Sequence, residues 1–415
     1  MKKALITATA AAAFALNAAA ADPIKVGVMA TLEGTYTVLG EDGVRGFKLA
    51  LEKFGGKAAG RDIEVTIAST DTSPDSAIRA ARKLVEQDGV DIVIGPLSGS
   101  EGIAIRDYSK TQPQVTFLNG ISGAQETTYV NPSENFFRFN TDGAQWSAGL
   151  GQYVYDRKGY RTVATIGEDY SFIYTQVFGF AVEFCNAGGE ITERLWVPLG
   201  TKDFASIIAS LPDDVDAIYL GLGGGDAVNF LNQYQQAGGD AALIGGSIMV
   251  DQTVLSSKGR AKEALIGTPA SSPQGDTSDD PKWREYVKAY QDFFPPEERF
   301  PAPSLLGTGY YNATTAALTC VGSVDGDLSD GHAKFRSCLS NLELNAPNGK
   351  ITLDENRQAI GPNYVTEVVV GEDGNLVNKV VQVIPKVNQQ LNIDPAKFSQ
   401  IGLPSRSVPE CKVLG

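Results

Sequence analysis

The sequence contains a single histidine, His332. That scarcity excludes most chemistry that needs an imidazole. A Ser–His–Asp arrangement would have to recruit His332 from the polar stretch between Cys320 and Cys338. No C-x-x-C spacing occurs among the four cysteines, so a zinc site is not expected, and neither is any other cofactor. Four cysteines are too few for a disulfide-dense miniature scaffold, and the absence of a Gly-X-Y period excludes collagen. Beyond the N-terminal stretch, no run is long and apolar enough to span a bilayer, which needs roughly 20 apolar residues. Basic residues are also in deficit: 35 Lys and Arg stand against 49 Asp and Glu, a formal net charge of −14. An acidic surface repels nucleic acid and anionic lipid, so neither is expected as a partner.

What is present is ample. The chain has 415 residues, 42% of them apolar. At roughly 100–200 residues per domain, that implies two or three domains. Its 45 glycines exceed the roughly 7% average and fit a strand–helix–strand protein with many tight turns. Residues 1–21 read as a signal peptide: a basic Met1-Lys2-Lys3, an apolar stretch of small residues, and Ala19-Ala20-Ala21 before the expected cleavage. No cysteine follows that point, so a lipid anchor is not expected. The reading places the protein in the periplasm, where disulfides can form. Four cysteines allow three pairings. Cys320 and Cys338 bracket a polar, Gly- and Asp-rich stretch and make the preferred pair. Cys411 would then tie the tail to Cys185 on a helix; free buried thiols are the alternative.

Along the chain, β-like runs alternate with amphipathic helices. Ile24–Met29, Ile63–Ala68, Val90–Ile94 and Val115–Leu118 read as strands. Gly34 to Gly40 reads as a loop, and Gly43–Phe54 and Ser76–Asp88 as helices. A second cycle begins near Gln145, with strands at Thr162–Ile166, Ile191–Val197, Ala217–Leu220 and Ala242–Gly245. The expected fold class is therefore α/β, with two doubly wound parallel-sheet lobes. Tyr364–Val370 and Leu376–Ile384 flank Gly371-Glu372-Asp373-Gly374 as a hairpin. Residues after Pro385 look irregular, a tail lying on a lobe.

Three glycine-rich segments follow strands. Gly221-Leu222-Gly223-Gly224-Gly225-Asp226 resembles a dinucleotide fingerprint, but Asp226 stands where its last Gly or Ala belongs. It reads better as a strand-to-helix turn with space above it. Gly95-Pro96-Leu97-Ser98-Gly99-Ser100 is not a nucleophile elbow, because Ser98 follows Gly95 by three. Free N–H groups at a helix start, with serine hydroxyls, suit a carboxylate; a plain helix cap is the competing reading. Asn119-Gly120-Ile121-Ser122-Gly123-Ala124 is another such loop. Ligands of open parallel sheets sit outside the carboxyl ends of strands, where all three loops would lie.

The residues at this point resemble a known family. Gly34-Thr35-Tyr36-Thr37-Val38-Leu39-Gly40, with Gly46-Phe47-Lys48-Leu49-Ala50-Leu51-Glu52, looks like its first loop and helix. Asp71-Thr72-Ser73-Pro74-Asp75, Leu84 to Val90 and Ile94-Gly95-Pro96 are similar to its most distinctive stretch. Glu168-Asp169-Tyr170-Ser171-Phe172 and Lys202-Asp203-Phe204 match its markers in the second lobe. The family is the leucine/isoleucine/valine-binding-like solute receptors of ABC importers, with the type I periplasmic binding protein fold. The resemblance covers nearly all of the chain after the signal peptide. It implies two lobes joined by three crossings near residues 141, 270 and 350, with ligand in the cleft. Lobe 1 would comprise 22–140 and 271–349, and lobe 2 would comprise 141–270 and 350–415. It also implies no catalysis, an inner-membrane permease as partner, and a monomer.

The resemblance carries site residues over by position. Gly99 and Ser100 lie on the loop that in relatives holds a ligand carboxylate; Ile121, Ser122 and Gly123 lie on the second such loop. Phe172 falls where a cleft aromatic stacks, Tyr36 and Leu39 line the first loop, and Tyr310, Gln145 and Trp146 are expected walls. For Tyr36, Trp146, Phe172 and Tyr310, core packing is the competing reading. Two departures bear on the ligand. Ser247 stands where amino-acid receptors place an acid, and Gly223 or Gly224 stands where they carry an aromatic. A buried ammonium without an acidic partner is costly. The expected ligand is therefore a small carboxylate with a flat ring, of hydroxybenzoate or phenylpropenoate type. A register slip that brought Asp226 or Asp251 to the site would restore an aliphatic amino acid. A ligand sensor is the further alternative.

Overall fold

The computed structural model describes residues 22–411. The expected signal peptide and its expected cleavage point fall outside them. The first sheet is built from β1 (Ile24–Thr31), β2 (Lys57–Ala58), β3 (Arg61–Thr70), β4 (Ile92–Ile94), β5 (Thr116–Leu118) and β6 (Phe136–Phe137), in the order β2-β3-β1-β4-β5-β6. All its pairings are parallel except that of β2 with β3. Seven of the eight residues of β1 are buried, as helices on both faces of a parallel sheet require.

The second sheet repeats the plan. β7 (Thr162–Glu168), β8 (Glu190–Val197), β9 (Ala217–Gly221), β10 (Leu243–Gly245) and β11 (Pro269–Ser272) run parallel in the order β8-β7-β9-β10-β11. An antiparallel extension follows: β12 (Leu344–Ala346), β13 (Gly349–Leu353), β14 (Ala359–Val370) and β15 (Leu376–Val387). Two boundaries differ from the sequence reading. Ser271 and Ser272, assigned there to lobe 1, complete β11 of the second sheet, and β12 joins the same sheet through β13. The expected hairpin is β14–β15.

The first helix, α1 (Thr37–Lys53), starts well before the expected Gly43. Gly40, which read as loop, and Gly43 and Gly46 within the helix serve close packing. A Cβ on Gly40 would stand 1.7 Å from the Thr31 carbonyl oxygen, and one on Gly46 would stand 1.9 Å from the Gly307 carbonyl oxygen. The helix therefore lies against β1 and against α2 (Leu305–Ser323), with the Tyr310 ring over Gly43.

Three connections join the sheets, and their polar side chains tie them together. Asn119 Nδ2 donates to Asn140 Oδ1 (2.9 Å), Asn348 Nδ2 to the Pro273 carbonyl (3.0 Å), and Gln358 Nε2 to the Asn140 carbonyl (3.3 Å). The tail includes a helix, Pro395–Ile401, and touches both halves: Phe398 packs edge-on against Tyr129 and Phe178. Cys185 is bonded to Cys411 and Cys320 to Cys338, the preferred pairing. His332 lies at a break in the helix Ser329–Asn341, with left-handed backbone (φ 64°), but its side chain is turned inward. It is 4% exposed, with Nδ1 3.0 Å from Thr116 Oγ1, and burial depresses its pKa to about 4. It is a buried packing residue.

Candidate functional site

The ends of β1, β4 and β5 face the ends of β7, β9 and β10. In both sheets the strand order reverses at the first strand, and such a switch point leaves a crevice at the carboxyl ends. The closest approaches across it are direct. Ser100 Oγ lies 3.2 Å from Ser171 Oγ, and Thr35 Oγ1 donates to Asp226 Oδ1 at 2.8 Å. Tyr36 donates its hydroxyl to Glu168 Oε2 and lies 3.0 Å from the Tyr170 hydroxyl.

Between these contacts sits a small apolar cavity. Tyr36, Leu39, Ile121, Gly123, Trp146 and Phe172 line it, all six expected from the sequence. Leu97, Tyr170, Ile248 and Leu306 complete the wall. Trp146 and Phe172 meet edge-on with ring centres 5.3 Å apart. Phe172 fits because Gly123 and Gly143 lack side chains: a Cβ on Gly123 would fall 2.5 Å from its ring. The cavity measures about 10 Å³, room for about one water, so a ligand enters only when the lobes part.

Two loops beside the cavity carry amides with no acceptor. Ser98 caps the helix Gly99–Ser109 through a full capping box with Glu101. That leaves the Gly99 and Ser100 N–H groups without an acceptor among the described residues, as also the N–H groups of Ser122, Gly123 and Ala124. The second loop is held from behind by Arg138, which is fully buried. Its guanidinium donates to the Ser122 carbonyl (2.8 Å), the Ala124 carbonyl (2.7 Å), Thr128 Oγ1 (3.1 Å) and Gln358 Oε1 (3.0 Å). Burial lowers its pKa to about 10, which leaves it charged at neutral pH. Carbonyls turned toward a cation leave the amides of the same loop free for an anion.

Four expected residues have other work. The Tyr310 hydroxyl donates to the Met29 carbonyl (2.6 Å), and its ring props the loop at Gly120 from below. Gln145 is consumed by the connections, donating to the Ala359 and Val387 carbonyls at 2.9 and 2.8 Å. Ser122 Oγ lies against Gly102 of the helix, with no partner, so only the backbone of Ser122 can serve the cleft. Ser247 Oγ accepts from Gln176 Nε2 at 2.6 Å and is absent from the cavity wall, where Ile248 takes its place. A Cβ on Gly223 would strike Ile248, so that glycine makes room for an apolar wall.

The sequence reading missed Glu168 as a cleft residue. It is fully buried at the end of β7 and accepts from Tyr36 and from the Gly223 N–H (3.1 Å). Desolvation first, and then the nearby Asp226, push its pKa well above the ordinary carboxylate range. No cation pairs with it among the described residues. An acidic residue closing a strand beside an Asp-Tyr pair is the signal that could have flagged it. Asp251 is occupied as a cap, accepting from Leu305 N (2.8 Å) and Thr253 N (3.0 Å). A larger groove of about 590 Å³ lies elsewhere, on the outer face of lobe 1 beside Leu49, Tyr286 and Tyr311, away from the strand ends.

Two parallel-sheet lobes with a cleft across their strand ends define a periplasmic solute receptor. Residues 23–375 match the family described as periplasmic binding protein, and the chain belongs to it. It is 25% identical to Leu/Ile/Val-binding protein homolog 6 of Brucella melitensis over 392 residues, 93% of this chain and 98% of that one. Among solved structures, it is similar to an ABC transporter substrate-binding protein from Sphaerobacter thermophilus: 27% identity, TM-score 0.78, covering 88% of this chain and 99% of that one. It is also similar to a solute-binding protein of an ABC transporter from Rhodopseudomonas palustris, in complex with 3,4-dihydroxybenzoic acid: 25% identity, TM-score 0.80, covering 90% and 99%. Among the described residues, no helix is long and apolar enough to cross a membrane.

Proposed function

We propose that this protein is the periplasmic receptor of an ABC importer. It captures a small aromatic carboxylate of hydroxybenzoate or phenylpropenoate type by lobe closure and delivers it to the permease, without chemistry. The observation that carries this reading is the pairing of two features in one cleft. Free amides of Gly99, Ser100, Ser122, Gly123 and Ala124 lie on two loops, of which Gly123 reaches the cavity wall, and Trp146, Phe172, Tyr36 and Tyr170 supply ring surface. Amides at a helix start hold a carboxylate, and aromatic walls hold a flat ring. The lobe-two position expected to carry an acid is Ser247, bonded to Gln176 and withdrawn from the cavity. The relative bound to 3,4-dihydroxybenzoic acid supports the ligand class. Closure about the three connections would present the loaded form to the permease. Export with cleavage after Ala21 and action as a monomer belong to the same reading.

A second reading is an amino-acid receptor. The buried carboxyls of Glu168 and Asp226 favour it, since either could face an ammonium. A thermal-shift screen of unfolded and refolded protein separates the two. Ligand at 100 times its dissociation constant adds about 2.7 kcal/mol. A shift with 4-hydroxybenzoate or coumarate and none with leucine supports the aromatic acid. The reverse result overturns it.

A further inference from the structure

Glu168 is a carboxyl with no ordinary reason to be where it is. It sits on lobe 2, fully buried, with no ion-pair partner among the described residues, and the charged group that acts on it is Asp226. Two groups donate to it. One is the Gly223 amide, from its own lobe. The other is the phenol of Tyr36, which belongs to the other lobe and also lines the cleft cavity. The third nearby group, the Tyr170 hydroxyl, is on lobe 2 and lies 3.0 Å from that of Tyr36.

When the lobes part, Tyr36 leaves with lobe 1. Glu168, which is bonded to Tyr36 but is not itself in the cavity wall of the closed form, then loses one donor, with Tyr170 nearby. Water takes that donor's place while the cleft is open, and closing on a ligand expels the water, so a carboxyl then left unpaired is costly. A ligand that supplies a donor there recovers the loss, and one that does not leaves the carboxyl unsatisfied. The donor that the closed protein itself presents is a phenol.

We propose that Glu168 is a specificity-determining residue that reads a ring hydroxyl on the ligand, at the end away from the carboxylate held by the Gly99–Ser100 and Ile121–Ala124 loops. The proposal rests on the aromatic-acid reading above. It favours a neutral hydroxyl because the contact observed is phenol to carboxyl.

The test measures benzoate and 4-hydroxybenzoate, two acids that differ by one hydroxyl, on refolded wild type, Glu168→Gln and Glu168→Ala by calorimetry, with leucine as a third ligand. Wild type should bind 4-hydroxybenzoate about tenfold or more tightly than benzoate. Glu168→Ala should bring that ratio to about one, whatever the shared loss both acids suffer from the missing Tyr36 contact, and Glu168→Gln, which keeps an acceptor, should retain part of it. A general role in closure would move both acids together, so an unchanged ratio in either variant overturns the proposal. A wild type with no preference between the acids overturns it too. The Gln variant preserves size and shape, and a cooperative melt confirms that it folds if the Ala variant does not. If neither acid binds wild type but leucine does, the aromatic-acid reading fails, and this proposal with it.

Discussion

Individual side chains in the cleft divide by whether their polar atoms are already satisfied. Ser122 Oγ is buried without a partner, so removing it releases a desolvated hydroxyl. Ser122→Ala should leave stability unchanged or slightly raised and ligand affinity intact, checked by urea melts and calorimetry. Ser100 differs, because its hydroxyl meets Ser171 across the cleft. Ser100→Ala should weaken the closed, liganded form by about 1 kcal/mol, seen as a lower ligand affinity. Arg138 carries more, since five of its hydrogen bonds end on buried acceptors. Arg138→Met should cost about 3–5 kcal/mol in a denaturant melt, because buried carbonyls would lose their donors. Gly99, Ser100, Ile121 and Gly123 could be found from the sequence because glycine and serine after a buried strand mark a close-approach loop. Arg138 could not, because nothing in its local sequence says that its partners lie on three separate segments. The misplacement of Tyr310 and Gln145 has the same origin: a large or polar residue near a crevice can face the ligand or brace the loop that does.

At the scale of elements, α1 shows what one sequence cannot say about glycine. Local propensity argues against Gly40, Gly43 and Gly46 in a helix, at about 1 kcal/mol each relative to alanine. The helix forms because contact with β1 and α2 outweighs that cost, and the contact exists only without a Cβ. Gly46→Ala therefore improves propensity and should still destabilise the protein by about 2 kcal/mol or more, since its Cβ would meet backbone of α2. A thermal or urea melt checks the sign. Strands were more legible. The buried runs of β1, β4, β7 and β9 are short, apolar and bounded by glycine, and they appear within a few residues of their expected ends. The register of the antiparallel extension was not legible, because it is set by partners from distant segments.

Among the described residues, six Asp and Glu are buried, and of these only Asp42 is in an ion pair. Burial raises Glu183 and Asp251 to about 7 and Asp276 to about 6. Each is protonated more readily folded than unfolded. Their contribution is therefore fully present below the unfolded carboxylate value and is lost as pH rises through the folded one. For Glu183, a rise from 4.5 to about 7 corresponds to about 3 kcal/mol. His332 acts in the opposite sense, losing stability as pH falls from 6.5 toward 4, but it is one group against several. The melting temperature should therefore fall between pH 5 and pH 8, as scanning calorimetry would show; a rise over that interval would mean that these carboxyls are solvated in solution. The alternation of apolar strands with amphipathic helices determined two parallel-sheet lobes on its own, because burial on both faces demands continuous apolar runs and sheet crossovers demand helices. Cysteine spacing likewise pointed to the two disulfides. Tertiary structure alone decided which polar groups face the cleft and which are spent behind it. The choice between Glu168 and Ser247 as the lobe-two polar group depends on what lies opposite each side chain, and that neighbour comes from another lobe, 132 residues away along the chain in the case of Tyr36 and Glu168.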